Sequence, residues 1–108
     1  MIITKSDPFT KEEIEKLREL DNRQTLGALA IDLKRIALGI HRGSMTMASR
    51  FSKEAEKRLN EVDRTTLLPY MKKTLGKIQS IVSTQGSDKK AEDALMYSVI
   101  VQNYTQYK

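Results

Sequence analysis

The chain has no cysteine, a single histidine and no long apolar run. Without cysteine there is no disulfide framework, thiolate metal site or cysteine nucleophile, and one histidine excludes a metal cage built on two imidazoles. The opening residues MIITKSDPF place only two adjacent isoleucines before polar residues intervene. That is too few for a secretory core or a membrane span, so a cytoplasmic address without membrane association is expected. No phosphate-binding glycine loop, dinucleotide fingerprint, nucleophile elbow or calcium loop occurs, and the Glu-x-x-His pairs of carboxylate di-metal bundles are missing. The expectation is a protein that is not an enzyme and uses no cofactor.

What is present is charge, unevenly distributed. The 108 residues carry a formal net charge of +5. Lys34, Arg35, Arg42, Arg50 and Lys53 lie in a stretch free of acids, and so do Arg64, Lys72, Lys73 and Lys77. Acidic residues gather instead at 12–21, 54–63 and 88–93. Such segregation points to an anionic partner, either a nucleic acid or an acidic protein, or to a solvated basic face. A chain of this length supports one domain, 1–108, with a modest core and residues 1–9 as an N-terminal arm.

The periodicity is helical throughout. Thr10 and Glu13 have capping-box spacing, Phe9 and Ile14 occupy hydrophobic-staple positions, and Pro8 stops backward extension. A short first helix with Ile14, Leu17 and Leu20 on its apolar stripe is expected to end near Asp21 and Asn22, both turn formers. Leu26, Leu29, Leu33, Ile36 and Ile40 then recur at three- and four-residue steps, and Leu68, Met71, Leu75, Ile78 and Val82 form another stripe with Pro69 in its first turn. The segment STQGSDKK reads as a loop. The last segment contains the β-branched run SVIV, but a lone strand would have no partner, so a helix is expected there too.

The stretch GIHRGSMTMASRF, residues 39–51, admits two readings. In one, Gly43 takes a left-handed conformation after His41 and Arg42, and Ser44 or Thr46 caps a new helix. In the other, the helix runs from about residue 23 to 62 and tolerates Gly39 and Gly43 at ~1 kcal/mol each. Phase favours continuity, because Ile40, Ser44, Met47, Phe51, Ala55, Leu59 and Val62 extend the stripe begun at Leu26 without a skip. Such a helix would span ~60 Å, twice what the following helices could cover, and so would call for a dimer. Gly39-x-x-x-Gly43 would also permit close approach of another helix.

The expected fold is therefore all-α: an antiparallel bundle with a short N-terminal helix, one long central helix, kinked or broken at its glycines, and two further helices. On the long helix Arg35, Arg42, Lys53 and Lys57, with Arg50 beside them, form a basic ridge opposite the apolar stripe, interspersed with Thr46 and Ser49. Such a ridge suits phosphate contact, and without interleaved aromatics it does not suit stacking on single strands. Leu38, Met45, Tyr97, Val101 and Tyr104 supply more apolar surface than one bundle covers and are the expected oligomer interface.

His41, followed by Arg42, Gly43 and Ser44, resembles the phosphoacceptor region of histidine phosphotransfer domains, which are helical bundles of similar size. The resemblance covers these four residues, and its spacing is compressed, since the family places the basic residue and glycine a full helical turn after the histidine. It implies His41 as phosphoacceptor, and the helical wheel places that residue half buried at the flank of the core stripe. The leading expectation is an oligomerising interaction or accessory module, with nucleic-acid binding as the alternative and phosphotransfer as the third.

Overall fold

A computed structural model describes residues 10–107, and every regular element among them is helical. In chain order these are α1 (Lys11–His41), α2 (Met45–Glu61), a single 3-10 turn (Arg64–Thr66), α3 (Pro69–Val82) and α4 (Asp88–Tyr107). Pro8, Phe9 and the proposed N-terminal arm lie outside the described residues, and so does the Phe9–Ile14 staple.

The first helix starts as its sequence demands. The Glu13 amide donates to Thr10 Oγ1 at 3.2 Å, and the Thr10 amide donates back to Glu13 Oε1 at 3.4 Å. It does not stop at Asn22, so the separate short helix expected from the sequence is corrected: one helix of 31 residues runs to His41. Asparagine disrupts helices when its side chain competes for nearby backbone groups. Here that side chain is occupied elsewhere. Asn22 Nδ2 donates to the Asp63 carbonyl at 2.5 Å and to Thr66 Oγ1 at 2.6 Å, and Asn22 Oδ1 accepts from the Asp63 amide at 2.8 Å. A residue that reads locally as a terminator is a clamp on the α2–α3 connection.

Continuity through Gly43 is the second correction. α1 ends at His41, Gly43 adopts φ +73°, and the Ser44 amide donates to the Gly39 carbonyl at 2.8 Å. Ser44 then caps α2, its Oγ accepting from the Met47 amide at 3.2 Å. Phase missed the break because α1 and α2 each turn an apolar stripe toward the other, and spacing along the chain does not register that its direction reverses. The dimer argument based on a ~60 Å helix falls with that helix.

α1 packs against α2 and α4, and α3 closes the bundle against both of them. The core is built from Leu26, Leu29, Leu33 and Ile36 of α1, Ala55 and Leu59 of α2, Met71, Leu75 and Ile78 of α3, and Ala94, Val101 and Tyr104 of α4. Leu68, expected on the α3 stripe, is exposed and serves as the helix cap, its amide donating to Tyr104 Oη at 3.2 Å. α4 runs antiparallel to α1, with Gly86 near Ile40 at one end, Lys34 bonded to Gln102, and Tyr104 beside Leu26 at the other. The β-branched run SVIV is helical, with Ser98 and Val101 fully buried.

α1 is about 46 Å long and α4 about 30 Å at 1.5 Å per residue. The first turns of α1 therefore project past the bundle, and residues 11–21 are all exposed. The molecule measures 55 × 29 × 19 Å with a radius of gyration of 16.0 Å, against ~13 Å for a compact domain of this size. No described helix is long and apolar enough to cross a membrane.

Candidate functional site

The α1–α2 hairpin rearranges the basic residues. Gly39 is buried where α2 turns back, and a Cβ there would lie 2.8 Å from the Ala48 backbone nitrogen. This glycine allows the two helices to meet. Folding back breaks the straight ridge, but it places Arg35 of α1 and Arg50 of α2 against the same ring, their guanidinium carbons 5.1 and 5.8 Å from the centre of Phe51. Arg50, Lys53 and Lys57 follow one another at three- and four-residue steps, and all are exposed. Arg50 and Lys53 line a shallow groove with Met45, Thr46, Ser49 and Glu54. Arg42 is exposed in the connecting turn. Cation–π stacking orders Arg35 and Arg50 without using their hydrogen-bond donors.

His41 is the last residue of α1 and is exposed, which corrects its expected half-buried position. Arg42, Gly43 and Ser44 follow in the turn rather than on a helix. The phosphotransfer arrangement needs a further helical turn beside the imidazole to present the basic residue and glycine, and α1 provides none.

Two buried ionic groups carry no signal in the sequence. Lys90, only 6% exposed, sends its ammonium to Thr84 O at 2.7 Å, Ser52 Oγ at 3.1 Å and Val82 O at 3.5 Å. Burial pushes its pKa down, and Glu56 opposes that shift. It forms the wall of a groove of about 400 Å³ between α2 and the α3–α4 loop, lined also by Ser49, Ser52, Glu56, Gln85 and Gly86. All three ammonium donors are taken up, two of them by carbonyls at the C-terminal end of α3. Charge there complements the helix dipole, so Lys90 caps α3 and joins it to α2.

Asp32 is buried between α1 and α2, 3.7 Å from Arg58 Nε, and among the described residues neither Asp32 Oδ2 nor Arg58 Nε has a hydrogen-bond partner. Burial raises the Asp32 pKa, with Arg58 pulling the other way. Arg58 also reaches Glu61 at 3.3 Å. Neither Lys90 nor Asp32 differs in sequence context from solvated neighbours, and only their distant contacts distinguish them.

The expected oligomer residues divide. Val101 and Tyr104 are buried in the chain's own core and Tyr97 packs partly against it, so these three are occupied within the subunit. Leu38 and Met45 are exposed at 40% and 52%. They have company that the sequence pattern assigned to buried stripes or did not mark: Leu17, Leu20 and Ile31 on α1, and Leu95, Met96 and Val99 on α4. Leu17, Ile31 and Leu38 fall at multiples of seven along α1, on one line of its outer face. Leu95 and Val99 lie on the flank of α4 that carries Gln102, next to that line through the Lys34–Gln102 hydrogen bond of 3.3 Å. The outer face of α1 thus carries Leu17, Ile31 and Leu38, with Gln24 between the first two, and α4 adds Leu95 and Val99 beside its C-terminal half. No family model matches the chain, and no curated protein or solved structure is significantly similar to it.

Proposed function

We propose that this protein is a non-enzymatic interaction module that works by self-association through the outer face of α1. The observation that carries this reading is the exposed line Leu17, Ile31 and Leu38 on a helix that outreaches its own bundle, with Leu95 and Val99 beside it. A surface helix normally turns its apolar stripe inward and keeps its outer face polar. Contiguous apolar surface left outside marks an association site. Sedimentation velocity across the micromolar range tests this: the sedimentation coefficient should rise with concentration, and Ile31→Lys should abolish the rise. A monomer at every concentration overturns the proposal.

A second reading has its own support. Arg35 and Arg50, held against Phe51, together with Lys53 and Lys57, present a preordered cationic surface of the kind that contacts nucleic-acid phosphates. Its test is retardation of duplex DNA or RNA at low salt. Binding should weaken steeply with added salt and disappear in the Arg50→Glu, Lys53→Glu variant. No retardation at low salt removes this reading.

A further inference from the structure

We infer that the groove between α2 and the α3–α4 loop binds a small molecule carrying one carboxylate on an apolar body, with the buried Lys90 ammonium as the charge beneath it. No residue of α1 lines this groove, so the site is separate from the face proposed for self-association. Lys90 is held by three neutral oxygens, Thr84 O, Ser52 Oγ and Val82 O. Among the described residues no carboxylate lies within 4.0 Å of its ammonium, the limit of an ion pair. A lysine as buried as this is ordinarily paired, because neutral partners return only part of what the charge loses on leaving water. The groove beside it is the route by which a counter-ion from outside the chain can reach it.

Ser52 supplies the donor that an anion needs. It is buried, its Oγ accepts from the Lys90 ammonium at 3.1 Å, and its own hydroxyl proton reaches no acceptor among the described residues. A hydroxyl that accepts from a cation is itself a stronger donor. Ser49, one helical turn earlier on α2, adds an exposed hydroxyl, and Lys53 adds a second ammonium. Glu56 is the only acid among the lining residues, so two lysines against one glutamate leave a surplus of one positive charge. One carboxylate neutralises that surplus. A phosphate monoester, with about two negative charges at neutral pH, would exceed it beside Glu56. Met45, Ala48 and Val82 give the groove an apolar wall, and Gly86 lets the Met45 side chain close against the loop where a Cβ would collide with it. The volume of about 400 Å³ falls within the ~300–1,000 Å³ of small-molecule sites, which likewise combine apolar walls with a few convergent polar groups.

The experiment titrates benzoate, benzamide and phenyl phosphate, which share a ring and differ in charge, into the isotope-labelled full chain and follows its amide chemical shifts. Benzoate should shift residues 45–56 and 82–90 with a dissociation constant in the millimolar range, and the other two should bind more weakly. Ser52→Ala should weaken benzoate at least about fivefold. Glu56→Gln should tighten benzoate at least about fivefold and admit phenyl phosphate, because the opposing carboxylate is gone. Lys90→Met removes the charge and the cap on α3 together, so the gain in Glu56→Gln is the result that a damaged fold cannot imitate. Benzamide binding as tightly as benzoate overturns the role of the buried charge and the proposal with it. Phenyl phosphate preferred by the parent chain overturns the carboxylate class. No shift with benzoate at tens of millimolar, or shifts that Ser52→Ala and Glu56→Gln leave unchanged, overturns the site.

Discussion

Among single side chains, Asn22 does the most to hold distant segments together, tying the α2–α3 connection to α1 through three hydrogen bonds. Removing its amide group strands the Asp63 amide and leaves the Asp63 carbonyl only the Thr66 hydroxyl, at 3.4 Å. Asn22→Ala should cost about 2–3 kcal/mol in chemical denaturation. Asp32 acts in the opposite sense. Its folded pKa stands above the ordinary value of 3.8 because burial disfavours the carboxylate. The folded chain therefore holds that proton more tightly than the unfolded one. The contribution of Asp32 to stability is largest at low pH and is lost as pH rises from 3.8 through the folded value. Asp32→Asn removes the charge at similar size, and Arg58 keeps Glu61 as a partner. Thermal melts should show that this variant lacks the decline and is at least as stable as the parent at neutral pH.

Between elements, the hairpin of α1 and α2 depends on two glycines used differently. Gly43 supplies a left-handed backbone, and Gly39 supplies room for the Ala48 backbone. Gly43→Ala should cost about 1–2 kcal/mol through strain, and Gly39→Ala about 1–3 kcal/mol through overpacking. In a continuous helix both changes would instead stabilise by about 1 kcal/mol. Denaturation midpoints of the two variants therefore separate the hairpin from the straight helix. The capping box, the placement of Pro69 at the start of α3, and the apolar stripes running from Leu26 to Ile36 in α1 and from Met71 to Val82 in α3 were legible in the sequence because each is set within one or two helical turns. The candidate surface was less legible. Leu38 and Met45 were recognisable as surplus apolar area, but Val101 and Tyr104 look the same in sequence and are core.

For the molecule as a whole, the consequence of the fold is an overhang. Among the described residues the first turns of α1 have no helix packed over them, so their amides are protected only by local helix formation, which is weak in isolation. Hydrogen exchange followed by mass spectrometry should show residues 11–21 exchanging fastest among the helices at low concentration. Exchange there should slow as concentration rises into the range where the chain self-associates, and it should not slow in Ile31→Lys. The molecular length of 55 Å is part of the same picture, since the projecting helix is what a second copy would lie along.

Composition and interactions spanning four residues or fewer were enough to establish that the chain is helical, that Thr10 caps its first helix and Pro69 opens α3, and where the apolar residues of α1 and α3 recur. Where the helices end, and which apolar faces remain outside, was settled by packing. Asn22 sits inside a helix because its side chain is held by partners 41 and 44 positions away, and the turn at Gly43 reverses the chain without interrupting the spacing of its apolar residues. Ile31 and Leu38 became surface once α2 and α4 had taken the other flanks of α1, and Leu17 because no described helix packs over the first turns. Burial is a property of neighbours brought together across the chain, and local periodicity does not record which neighbours arrive.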